Sequence, residues 1–156
     1  MRPPGARIRS GRVLTLELLD CVSFLLVDGD RFLVERRRRD KLVDPGAVAI
    51  PGGHLEPGES SLEALHRELH KELGLTTANP QFICTLLNPS EEFRKLDYYA
   101  LQFWSGEIEN NEAEALLWLS LDDLSGLDLA VDRVAVGEYL RVVRGRQTAS
   151  RRNPDP

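Results

Sequence analysis

The segment that most constrains this chain runs from Pro51 to Leu75, where a Pro-Gly-Gly turn leads into a helix punctuated at both ends. Ser60 and Glu63 have the spacing of a capping box, and Gly74 after Leu73 supplies a natural stop. At 100° per residue, Leu62, Leu65, Leu69 and Leu73 form one apolar stripe, so the helix must pack on a larger body. Glu68 and Glu72 fall one turn apart on the neighbouring stripe, which predicts two carboxylates at the edge of a cleft. Such a pair repels unless a cation neutralises it, and hard oxygen ligands suit Mg2+ or Mn2+. The repulsion alone costs the helix only about 0.2–0.5 kcal/mol, too little to demand a metal.

The spacing says more than the helix. Gly53, five residues, Glu59, seven residues, Arg67-Glu68-Leu69, one residue, Lys71-Glu72, one residue, Gly74-Leu75 resembles the signature of the Nudix hydrolases. If each matching Gly, Glu and Arg position is filled by chance about 5 to 7% of the time, one window matches with probability on the order of 10⁻⁷. An ordinary solvated helix face has no use for the loop residues Gly53 and Glu59.

The resemblance implies an α/β fold, an α/β/α sandwich with a mixed β-sheet between helices. It also implies that Glu68 and Glu72 hold metal together with the carbonyl of Gly52, and that Glu59 pairs with Arg67 to brace the loop against the helix. The plainer reading of Arg67 is an i, i+4 partner of Glu63. A further carboxylate from outside the signature is common in the family. Glu112 or Glu114 is placed to supply it, and Glu114 is the one assigned to the metal. The family pattern has Glu at the position of Lys71, so fewer or weaker metal sites are expected. A cation there can form an i, i+3 pair with Glu68 or stand in for one metal's charge.

For substrate contacts, the resemblance points to an Arg at the end of a hairpin strand, here Arg36 or Arg37 in the run Glu35-Arg36-Arg37-Arg38-Arg39-Asp40-Lys41. Guanidinium suits a diphosphate, whereas Arg38, Arg39 and Lys41 read as a solvated face. Gly53 lies where a bound phosphate would approach, and His54 reads either as a second phosphate contact or as an exposed loop histidine. His66 is expected to pack beside the leucines and His70 to be exposed, and the aromatics Tyr98, Tyr99, Phe103 and Trp104 read as core. Pro89 lies one residue from the spacing at which ADP-ribose pyrophosphatases of the family carry a Pro.

Along the chain, residues 13–27 and 31–36 suggest a hairpin about Asp28-Gly29-Asp30, with further strands at 47–50, 81–87, 98–104 and 116–121. A second helix is expected over 132–143, with Val136, Leu140 and Val143 inward. Residues 1–12 and 145–156 read as flexible segments around one domain at 13–144. The chain has 156 residues, a hydrophobic content of 42% and no apolar run long enough to span a membrane. A net charge of −5 argues against a broad grip on extended nucleic acid. Cys21 and Cys84 fit buried free thiols in a reducing cytoplasm.

The expected function is a Mg2+-dependent hydrolase that cleaves the diphosphate linkage of a nucleoside diphosphate derivative, ADP-ribose-like or a nucleoside triphosphate. The alternative is a catalytically weakened Nudix-fold module that senses a nucleotide. An isoprenoid diphosphate isomerase of the same fold is disfavoured, because neither cysteine lies in a suitable motif. Many relatives are homodimers, which leaves that assembly open.

Overall fold

The computed structural model describes residues 17–151, so the expected flexible segment 1–12, residues 13–16 of the expected first strand and residues 152–156 lie outside it. In chain order the strands are β1 Leu18–Asp28, β2 Arg31–Arg36, β3 Val48–Ala49, β4 Gly52–His54, β5 Gln81–Pro89, β6 Phe93–Leu101 and β7 Ala115–Ser120. The helices are α1 Ser61–Leu73, α2 Ala130–Glu138 and α3 Gly145–Arg151, with a π-helical stretch, Tyr139–Arg144, joining the last two.

β1 is shared by two ladders. From Leu18 to Leu26 it pairs in parallel with β6, which pairs antiparallel with β5, and Cys21 to Ser23 pair antiparallel with β4. Its last residues, Val27 and Asp28, turn instead to β2 across the expected hairpin. β2 in turn carries β3 on one edge and β7 on the other. The two ladders therefore diverge along β1, and residues from both line one cleft.

Both faces of the sheet are covered. Val22, Phe24 and Leu26 of β1 pack with Leu65, Leu69 and Leu73 of α1, whereas Cys21, Leu25 and Val27 face Ala135, Val136 and Tyr139 on the other side. Successive strand residues point to opposite faces, so this is the α/β/α sandwich that the sequence led us to expect. Burying Leu65, Leu69 and Leu73 contributes about 1.5–3 kcal/mol each. The capping box of Ser60 and Glu63 adds about 1 kcal/mol. Packing therefore decides where α1 sits, and the cap decides where it begins.

Four local expectations need correction. Leu62 keeps 45% of its surface exposed, because the first turn of α1 lies outside the core that takes the other three leucines. His66 is exposed like His70, since the buried arc of α1 is centred on Leu65 and Glu72 and also takes in Ala64. Phe103 lies beyond the end of β6 and is 76% exposed. The helical path continues into 145–151, part of the stretch expected to be a tail, where Gln147 exchanges hydrogen bonds with Gln102 at 2.9 and 3.2 Å. Leu140 and Val143 do pack inward, against the core that holds Val136. Among the described residues no helix is long and apolar enough to cross a membrane.

Candidate active site

The two glycines bring backbone and carboxylate together. A Cβ on Gly52 would lie 2.0 Å from the Val22 carbonyl oxygen, so only glycine lets β4 pair this closely with β1. A Cβ on Gly53 would lie 2.6 Å from the carboxyl carbon of Glu68. The missing side chain is the space that Glu68 occupies.

α1 supplies the acidic groups. Glu68 and Glu72 are buried, at 5% and 7% exposure, although both are carboxylates. Glu112, from the segment before β7, joins them, and one carboxylate oxygen from each lies within 4.8 Å of the others. Glu72 Oε2 is buried without a hydrogen-bond partner. Burial first, then the carboxylates of Glu35, Glu68 and Glu112, push the Glu72 pKa well above the usual carboxylate range. An orphaned buried oxygen beside two more acids is costly unless a cation meets it. Three hard oxygen donors therefore fit a divalent metal ion such as Mg2+.

Arg67 fixes this arrangement. Its guanidinium donates to both oxygens of Glu59, at 2.7 and 2.8 Å, to Glu68 Oε1 at 2.5 Å and to the His54 carbonyl at 3.0 Å. Glu59 also accepts from the Glu56 amide, which closes the loop on itself. The plainer i, i+4 pairing of Arg67 with Glu63 is not formed, because Glu63 is engaged with Ser60 in the cap.

The cleft around these groups has a volume of about 580 Å³. That is room for a nucleotide-sized ligand. Its floor includes Cys21, Leu96 and Tyr98, and one wall is the loop between β2 and β3. Away from the carboxylates, Asp132 accepts from the Tyr98 hydroxyl at 2.7 Å and from the Ile50 amide at 3.0 Å. Burial pushes Asp132 up to about 6. Burial likewise raises both thiols, Cys21 and Cys84, to about 11, so neither is a ready nucleophile.

A family model described as NUDIX domain matches residues 18–139. The chain belongs to the Nudix hydrolase family. It is 30% identical over 118 residues to the NAD-capped RNA hydrolase NudC of Stutzerimonas stutzeri, an alignment that covers 74% of this chain and 40% of that protein. With the nucleoside triphosphatase NudI of Enterobacter sp. it shares 28% identity, over 67% of this chain and 84% of that protein. It thus spans only about two fifths of the NudC relative's length. Among solved structures, a MutT NUDIX hydrolase from Burkholderia pseudomallei superposes with a TM-score of 0.71 at 25% identity, over 78% of this chain and 98% of that one.

This Nudix domain brings together most of the residues singled out from its sequence, with two exceptions. Glu114 is exposed, and its amide bonds Arg36 at the start of the β2–β7 ladder, so the third carboxylate is that of Glu112. Arg36 points away from the cleft, because strand alternation turns Glu35 and Arg37 inward and Arg36 outward. Arg37 lines the cleft and bonds the Val43 carbonyl at 3.1 Å and Glu35 at 3.3 Å. His54 lines the cleft as well, with its ring 2.9 Å from Glu92.

Lys41 was expected on a solvated face, yet it reaches Glu112 at 2.9 Å. Lys71 lies 3.8 Å from Glu68, the expected i, i+3 pair, and 3.9 Å from Glu112. Sequence reasoning passed over Glu35, a buried carboxylate whose pKa is raised by desolvation against the opposing pull of Arg37. A signal was available: Phe32-Leu33-Val34 is an unbroken apolar run, the mark of a strand covered on both faces, so the next residue is also enclosed.

Proposed function

We propose that this protein is a Mg2+-dependent hydrolase that cleaves the diphosphate linkage of a nucleoside diphosphate derivative. The observation that carries the reading is the cluster of Glu68, Glu72 and Glu112 against the Gly52-Gly53 backbone, with one Glu72 oxygen left free. When bound there, Mg2+ would polarise the phosphoryl oxygens and lower the pKa of an attacking water. Glu68 and Glu72 would hold the ion with Glu112, and Gly52 lines the same cleft.

The chain's own residues do the rest. Arg67, braced by Glu59, keeps Glu68 in one orientation. A carboxylate of this cluster, Glu68 in our assignment, takes a proton from water as the water oxygen bonds to phosphorus. The bridging P–O bond breaks, and its electron pair leaves with the departing phosphate. Arg37 and His54 face the same cleft and are positioned to receive phosphate oxygens.

The names of the relatives widen the choice of substrate. NudC is named for NAD-capped RNA and NudI for nucleoside triphosphates, and both substrates contain phosphoanhydrides. The net charge of −5 favours free nucleotides over extended RNA. Two free cysteines fit a reducing compartment, and the cytoplasm is the proposed setting. A sensor without turnover is the second reading, favoured by the Lys71 ammonium beside Glu68 and Glu112. Incubation with Mg2+ and a panel of nucleoside triphosphates, ADP-ribose and NAD, followed by phosphorus NMR, tests both. Cleavage at a P–O–P bond supports the hydrolase, whereas binding without cleavage across the panel supports the sensor.

A further inference from the structure

We infer that Lys41 and Lys71 are exchangeable internal cations: they hold Glu112 until substrate enters, then move to the substrate's phosphate oxygens and release Glu112 to the metal ion. This rests on the proposed hydrolase reading and adds to it an order of events in the site. Metal and diphosphate then bind cooperatively, because each removes what the other must displace.

The geometry separates the three carboxylates by what already holds them. Glu112 has one oxygen on Lys41, at 2.9 Å, and the other near Lys71, at 3.9 Å. Glu68 has one oxygen clamped by Arg67, with Lys71 at 3.8 Å from the other. Glu72 Oε2 has no partner. An incoming ion thus finds Glu72 free, Glu68 fixed and only loosely screened, and Glu112 occupied.

The holders differ in kind. Arg67 makes a forked contact with Glu59 and is tied at four acceptor atoms, so it stays where it is. Lys41 and Lys71 are point charges on flexible stems, 36% and 58% exposed, and each can swing without breaking the fold. Both line the cleft that would receive the phosphates. They approach Glu112 from different elements, Lys41 from the β2–β3 loop and Lys71 from α1, so together they flank the space beside the carboxylates. A diphosphate entering there offers each lysine a stronger partner than one shared carboxylate.

The test is a double-mutant cycle on Mn2+ affinity, read by the electron paramagnetic resonance signal of free Mn2+ in the absence of nucleotide. In the wild-type background, Glu112→Gln is expected to change the affinity by less than twofold, because Glu112 is already engaged. The pair Lys41→Met and Lys71→Met is expected to tighten Mn2+ by roughly fivefold, in keeping with partly exposed ion pairs. Adding Glu112→Gln to that pair should remove the gain. An equal effect of Glu112→Gln in both backgrounds overturns the inference.

A second arm uses methylenediphosphonate with EDTA present, followed by calorimetry. Wild type should bind it, and the double lysine variant should bind roughly tenfold more weakly. Equal binding by the two proteins overturns the role assigned to the lysines. Absence of Mn2+ binding in wild type and in all variants would sink the hydrolase reading itself and this inference with it. Specific Mn2+ binding with additive effects would sink the inference alone.

Discussion

Arg67 grips Glu59 through two nitrogens, Nε to Oε2 at 2.7 Å and Nη2 to Oε1 at 2.8 Å, while Nη1 reaches Glu68. One side chain thus ties the glycine-rich loop to a member of the Glu68, Glu72 and Glu112 carboxylate cluster. Those hydrogen bonds, with one from the Glu56 amide, hold the Glu59 carboxyl down at about 2. Lysine retains the charge at this position but not the fork. Arg67→Lys is therefore expected to lower kcat by at least about tenfold while the melting temperature falls by only a few degrees. Steady-state kinetics beside thermal unfolding checks this, and unchanged kcat would remove Arg67 from the positioning role.

The adjacent glycines should fail in different ways. In Gly53→Ala the new methyl meets the far end of a side chain, the Glu68 carboxylate, which can be pushed aside. That variant should fold and bind Mn2+ at least about tenfold more weakly. In Gly52→Ala the methyl meets the Val22 carbonyl oxygen and must part β4 from β1. A loss of about 2 kcal/mol or more in unfolding free energy is expected. Denaturant titration with Mn2+ binding separates the two, and equal stability losses would contradict the contrast.

Lys71 stands where the family pattern has Glu, and its ammonium lies near both Glu68 and Glu112. Lys71→Glu removes that cation and adds a carboxylate. Mg2+ affinity should rise by about tenfold, measured by calorimetry. Unchanged or weaker affinity would mean that this side chain is misplaced in the account.

Asp132 gives stability a defined pH dependence. Its pKa in the fold is raised by burial to about 6 from an ordinary value of 3.8. The folded state binds this proton more tightly than the unfolded state does. Its contribution is therefore complete below about 3.8 and is lost as pH rises through about 6. Asp132→Asn stays neutral throughout. The stability of wild type relative to that variant should fall by about 3 kcal/mol between pH 3.5 and 7.5. Parallel curves in urea titrations across that range would contradict the assignment.

How far the site was legible depended on how local each part of it is. Gly52, Gly53, Glu59, Arg67, Glu68 and Glu72 lie within one turn and one helix: periodicity sets Glu68 and Glu72 together, and the Nudix resemblance implies that Glu59, Arg67 and the glycines join them. Glu35, Lys41 and Glu112 reach the cleft from β2 and two loops, and only the pairing of β2 with β7 sets them beside α1. The choice between Glu112 and Glu114 turned on where β7 begins, a boundary that local pattern does not fix. Strand and helix types were readable because apolar residues alternate or recur in them. The parting of the ladders along β1 was not, since it depends on which partner each part of that strand meets.

The most direct measurement follows Mg2+-dependent cleavage of the nucleotide panel by phosphorus NMR in wild type, Glu68→Gln and Glu72→Gln. Wild type is expected to cleave a P–O–P bond in at least one member, and each variant to lose about a hundredfold or more with folding retained. Wild-type-like turnover in both variants, or binding of nucleotides with no cleavage by wild type, would contradict it.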